Sequence, residues 1–169
     1  MNAHDCIIGG VRISLDAAHS LSQSYEDLGG RSLRRKLDGA ALLQTQWRKT
    51  RTVISGSGRL PDGLAGLDYT ASLSISCMAP RAVWSANTTV VIPAARRTDW
   101  APHAYAIVDG RHVRTDMAIV VNTCTLTAVS GAQGYMVAYY PILTCYAELR
   151  QTFDGRGPSA GWEIIAEEV

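Results

Sequence analysis

The 169-residue chain is 47% apolar, only 18% charged and close to neutral, with a net charge of +1. This composition excludes a disordered chain, which needs high charge and few apolar residues, and a uniformly basic polyanion binder. A chain of this length buries a core without disulfide or metal staples, so one domain over residues 1–169 is expected. No apolar run approaches the roughly 20 residues that a membrane-spanning helix needs. Residues 1–5 lack the basic start and apolar stretch of a secretory signal, so synthesis in the cytoplasm is expected.

Period two dominates the chain. Residues 15–28 fit either an amphipathic helix, through Leu15, Ala18, Tyr25 and Leu28, or a strand, through Leu21, Gln23 and Tyr25; the strand is preferred. Gly29-Gly30 reads as a break. Asp38-Gly39 separates two strand-like runs, 33–37 and 41–47, and predicts a hairpin with a tight primed turn, both central residues at positive φ. Ser55-Gly56-Ser57-Gly58 reads as a flexible turn closing a strand that ends near Ile54, and 61–68 as one helical turn begun by Pro61. Residues 72–77 alternate small polar with apolar side chains, as a strand with one wet face does.

Residues 94–102 and 153–161 read as loops. Asp109-Gly110 predicts a second hairpin, joining 104–108 to 111–115. Residues 120–128 read as one strand, with Val120, Asn122, Cys124, Leu126 and Ala128 on one face and Val121, Thr123, Thr125 and Thr127 on the other. Breaks at 131–134 and strands at 135–140 and 142–146 follow, with Pro141 marking an edge or a bulge. About eight to ten short strands result. The expected fold is all-β, an antiparallel sandwich or barrel with long hairpins and little helix.

Signals for chemistry are weak throughout. Cys6, Cys77, Cys124 and Cys145 lie in or beside apolar runs, as buried thiols do. His4, His19, His103 and His112 are scattered, and neither Cys-x-x-Cys nor His-Glu-x-x-His occurs. The Ser-Gly repeat at 55–58 is neither a nucleophile elbow nor a phosphate loop. Neither an enzyme, a cofactor nor a metal is therefore expected, although a polar pocket uniting His103 or His112 with two carboxylates would reopen that question.

Charge is informative only locally. Arg31, Arg34, Arg35, Lys36, Arg48, Lys49, Arg51 and Arg59 are opposed between them only by Asp38, with Gln44, Gln46 and Trp47 interleaved. Nucleic acid would suit such a patch, but near-neutral overall charge favours an acidic partner protein. The C-terminal Glu163, Glu167 and Glu168 offer one such element. Arg96, Arg97 and Trp100 form a second candidate contact, because Trp and Arg carry much of the energy at interface centres. The partner-contact candidates are thus Arg34, Arg35, Trp47, Arg48, Arg51, Arg96, Arg97, Trp100, Glu167 and Glu168.

The segments 33–39 (LRRKLDG), 46–52 (QWRKTRT), 54–58 (ISGSG) and 61–69 (PDGLAGLDY), with Tyr139-Tyr140-Pro141 and 161–168 (GWEIIAEE), resemble small structural proteins of tailed bacteriophages. The resemblance implies a virion protein of the phage tail, a tail-tip or baseplate ring subunit made in the host bacterial cytoplasm. It further implies partnership with copies of itself and with tail tube, baseplate or sheath proteins, and no catalytic residues. A β-barrel module for nucleic acid or carbohydrate, stacking ligands on Trp47, Trp84 or Trp100, is the alternative.

Overall fold

Alternation over most of the chain dictates extended structure, and a computed structural model of the protein is all-β, with antiparallel sheets. It describes residues 5–13, 21–153 and 160–169. Among these residues fourteen strands follow in order: β1 (Cys6–Ile8), β2 (Val11–Ile13), β3 (Ser22–Arg35), β4 (Ala41–Ser57), β5 (Leu73–Ser76), β6 (Arg81–Ser85) and β7 (Thr89–Val91). Then come β8 (His103–Val108), β9 (Arg111–Thr115), β10 (Met117–Val120), β11 (Thr123–Leu126), β12 (Ala132–Tyr139), β13 (Ile142–Phe153) and β14 (Ala160–Glu168). The turn expected after Pro61 is a 3-10 turn at Leu64–Gly66.

The chain forms two compact units, Met1–Ile75 with Thr144–Val169, and Ser76–Leu143. The first is built on a seven-stranded sheet ordered β2-β1-β5-β13-β14-β4-β3. Register places Ile54 beside Ile164, and Thr52 beside Ala166, on one face. All four are fully buried, as are Cys6, Ile8, Ile75 and Cys145 in the other strands. Thr52 is the fully buried polar member of this dry face. Its hydroxyl donates to the Ser24 carbonyl (3.0 Å) and accepts from Gln23 (2.9 Å), so its burial leaves no orphaned oxygen.

The second unit packs one sheet, β6-β12-β8-β9, on a smaller one, β10-β11-β7. Ala104, Ala106, Tyr135, Val137 and Tyr139 from the first meet Val90, Ile92, Cys124 and Leu126 from the second. All four cysteines are buried.

Four local expectations are corrected. The Asp38-Gly39 hairpin is not a two-residue turn. Its last strand pair is Arg35 with Ala41, and of its loop residues only Gly39 takes positive φ (82°), with Gly39 N–H donating to the Lys36 carbonyl. The Asp109-Gly110 turn is the tight form, with φ of 47° and 72°. Residues 120–128 are not one strand, because a hairpin turn at Val121-Asn122 separates β10 from β11. Val121 sits at φ 56°, costly for a β-branched residue. Arg96 over-determines that turn, donating to the Val121 carbonyl (2.7 Å) and the Asn122 side chain (2.6 Å).

Gly29-Gly30 and 55–57 are likewise not breaks but strand interior. Both glycine sites lie under a tryptophan. A Cβ on Gly56 would come within 2.6 Å of the Trp162 ring, and one on Gly30 would collide with Trp47. Gly56→Ala should therefore destabilise the protein by about 2 kcal/mol through overpacking, while Gly66→Ala, with nothing within 4 Å, should change it by less than about 0.5 kcal/mol. Thermal unfolding of the two variants checks this.

Candidate functional site: an exposed β-hairpin arm

β3 and β4 pair continuously from Ser22–Ser55 to Arg35–Ala41. β14 accompanies β4 only over the stretch from Ser57 to Arg51. Beyond it the hairpin continues as a two-stranded ribbon, and every residue from 31 to 48 is exposed. A bulge between Gly30 and Arg31 marks its root, where β4 carries one extra residue. The five pairs beyond the bulge reach about 17 Å.

Alternation does not stop where the sheet does. Arg31, Leu33 and Arg35, opposite Thr45, Leu43 and Ala41, continue the dry face of the sheet, while Arg34 and Leu42 point the other way. Leu33 is 65% exposed, Leu43 59%, Leu42 50% and Leu37, at the tip, fully so. With Trp47, the hairpin holds five of the fourteen large apolar side chains exposed among the described residues. Single exposed apolar residues are ordinary on a surface, but five on one hairpin are a concentration. A cleft of about 380 Å³ opens at the root, lined by Asp27, Gly29, Arg31, Leu43, Trp47 and Arg48.

The ten residues singled out from sequence fall into three groups. Arg34 and Arg35 lie on the arm, with Trp47 and Arg48 at its root. Arg48 is ion-paired with Asp27, and Arg35 donates to the Gly39 carbonyl of its own turn (3.1 Å). Arg51, Glu167 and Glu168 belong to the sheet itself. Arg51 lies between Glu26 and Glu167 in a cross-strand row and bonds both (3.2 and 2.9 Å). Its pKa is raised, chiefly by the hydrogen bond to Glu167. Glu168 accepts from the Thr50 N–H (2.9 Å), and Lys49 donates to the Val169 carbonyl. The basic and acidic elements thus meet within one chain at the proximal end of β4.

Arg96, Arg97 and Trp100 form the third group. Arg96 holds the Val121-Asn122 turn, as described above. Arg97 is only 2% exposed. Its guanidinium donates to both Asp99 oxygens (3.0 and 2.6 Å) and to the Cys77 carbonyl (3.3 Å), and it lies 3.6 Å over the Trp100 ring. Trp100 in turn meets Tyr140 edge-on at 4.7 Å. This is an internal brace of the second unit.

The leucines of the arm were missed because 33–37 and 41–47 read only as the two strands of a hairpin. Nothing in 33–37 or 41–47 says that the neighbouring strand has ended. The two adjacent leucines at 42 and 43 were the available signal, since neighbours on a strand face opposite ways and a ribbon with one dry side cannot bury both.

Among the described residues, no three His, Cys, Asp or Glu side chains converge to hold a metal ion. The chain matches no family model and no curated protein. Arg97→Ala should cost about 2 kcal/mol or more, by removing a buried, hydrogen-bonded guanidinium. Arg34→Ala on the arm should stay within about 0.5 kcal/mol. Comparing denaturant midpoints of the two separates brace from contact surface.

Proposed function

We propose that this chain is a structural protein of a phage virion, a ring subunit of the tail tip or baseplate that works by assembly with copies of itself and with neighbouring tail proteins. The observation that carries the reading is the arm. A two-stranded ribbon is marginally stable in water on its own, and this one presents leucines to solvent on both faces. Covering Leu33 and Leu43 with a partner would remove apolar surface from water and order the ribbon together, the usual basis of association. The exposed edges of β3 and β4 also offer unpaired backbone groups that a neighbouring strand can complete. The resemblance to tailed-phage structural proteins supplies the setting.

The second reading, a nucleic-acid module, draws on the cations of the arm and on Trp47, half-exposed at its root. It requires binding to DNA that weakens steeply with salt. Under the assembly reading, sedimentation velocity finds concentration-dependent oligomers of the wild type. The variant with Leu33→Ser and Leu43→Ser shifts to monomer while its unfolding temperature stays near that of the wild type. A wild type that remains monomeric at high concentration and co-sediments with no tail particle overturns the proposal.

A further inference from the structure

The outer face of the seven-stranded sheet is an ordered charge ladder. Register sets three cross-strand rows: Ser22, Ser55, Glu163 and Arg150; Ser24, Val53, Ile165 and Glu148; Glu26, Arg51, Glu167 and Tyr146. Four carboxylates face two arginines, a net charge of −2. Arg150 grips Glu148 with two hydrogen bonds (3.1 and 3.2 Å), and its guanidinium lowers the carboxyl pKa. Tyr146, 56% exposed, and the half-buried Ile165 and Val53 form an apolar strip through the carboxylates. Three rows on four strands make a face about 14 Å wide.

The arm beyond the bulge has the opposite character. Residues 31–45 hold Arg31, Arg34, Arg35 and Lys36 against Asp38 alone, a net charge of +3. Its face with Leu33 and Leu43 is flanked by Arg31 and Arg35, so cations surround an apolar pair as carboxylates surround Tyr146 and Ile165. Sign and polarity are complementary.

The arm cannot satisfy its own face. It extends the β3–β4 ladder along the strand direction, away from β14, and folding over the sheet would break that ladder. We infer that the arm of one copy docks on the outer sheet face of a second copy, head to tail, with Leu33 and Leu43 on Tyr146 and Ile165 and with Arg31 and Arg35 among Glu148 and Glu163. This deepens the assembly reading and rests on it. A heterologous contact of this kind gives a ring where the rotation closes and a filament where it does not.

Charge exchange tests the pairing. One variant carries Arg31→Glu and Arg35→Glu, the other Glu148→Lys and Glu163→Lys; self-association is read by sedimentation of the full chain. Each variant alone should associate at least about tenfold more weakly than the wild type, because like charges then meet. Mixed one to one they should recover wild-type association, since each arm now finds a face of opposite sign. Thermal unfolding verifies that both fold, and Glu148→Gln with Glu163→Gln provides a gentler face variant that should also weaken association. Either charge-reversed variant associating like the wild type, or a mixture that fails to recover, overturns this pairing while the assembly reading stands. A wild type that does not self-associate overturns the pairing, and the assembly reading falls with it when the protein also co-sediments with no tail particle; one that stays monomeric yet binds a DNA oligonucleotide assigns the arm to nucleic acid.

Discussion

The first unit depends on the ladder that β4 makes with its neighbours. Over its C-terminal half, β4 has β14 on one edge and β3 on the other, and its inward side chains lie in a dry layer with Ile164 and Ala166. Over its N-terminal half it has β3 alone. Pairing and alternation resume beyond the bulge, whose extra residue shifts β4 by one and turns its odd-numbered side chains to the dry face. The face that buries Ile54 near the body therefore carries Leu43 beyond the bulge, where nothing covers it. An apolar face without a covering layer is energetically incomplete, and the assembly reading follows from that incompleteness.

Charge is distributed along the same ladder. Near the body, cations are neutralised within the chain: Arg51 by Glu26 and Glu167, Arg48 by Asp27. These exposed pairs add little stability one by one, but they fix which charges remain available. What remains lies at two separate places, cations on the distal arm and excess carboxylates on the outer sheet face.

The second unit shows how a buried guanidinium is made tolerable. Arg97 shares its charge with Asp99, one backbone carbonyl and the face of Trp100, so a desolvated cation has partners on several sides. Arg96 performs a related task, one nitrogen donating to the Val121 carbonyl and the other to the Asn122 side chain, at a turn where Val121 takes a backbone conformation that valine seldom adopts. Adjacent in sequence, these arginines serve their own unit, and their proximity to a tryptophan was no sign of an external surface.

By itself the sequence determined the extended class of the chain, because period-two alternation of β-branched and small residues is compatible only with pleated strands. It also determined the Asp109-Gly110 hairpin, whose turn needs positive φ at both centres. The tertiary structure alone decided which strands are flanked on both edges, and hence which leucines have cover. Register between distant strands brought Glu26, Arg51 and Glu167 into one row, although more than a hundred residues separate Arg51 from Glu167. The Val121 turn likewise arose from Arg96, twenty-five residues away. Local pattern fixes how a strand presents its side chains; what stands opposite them depends on chain segments that pattern cannot connect.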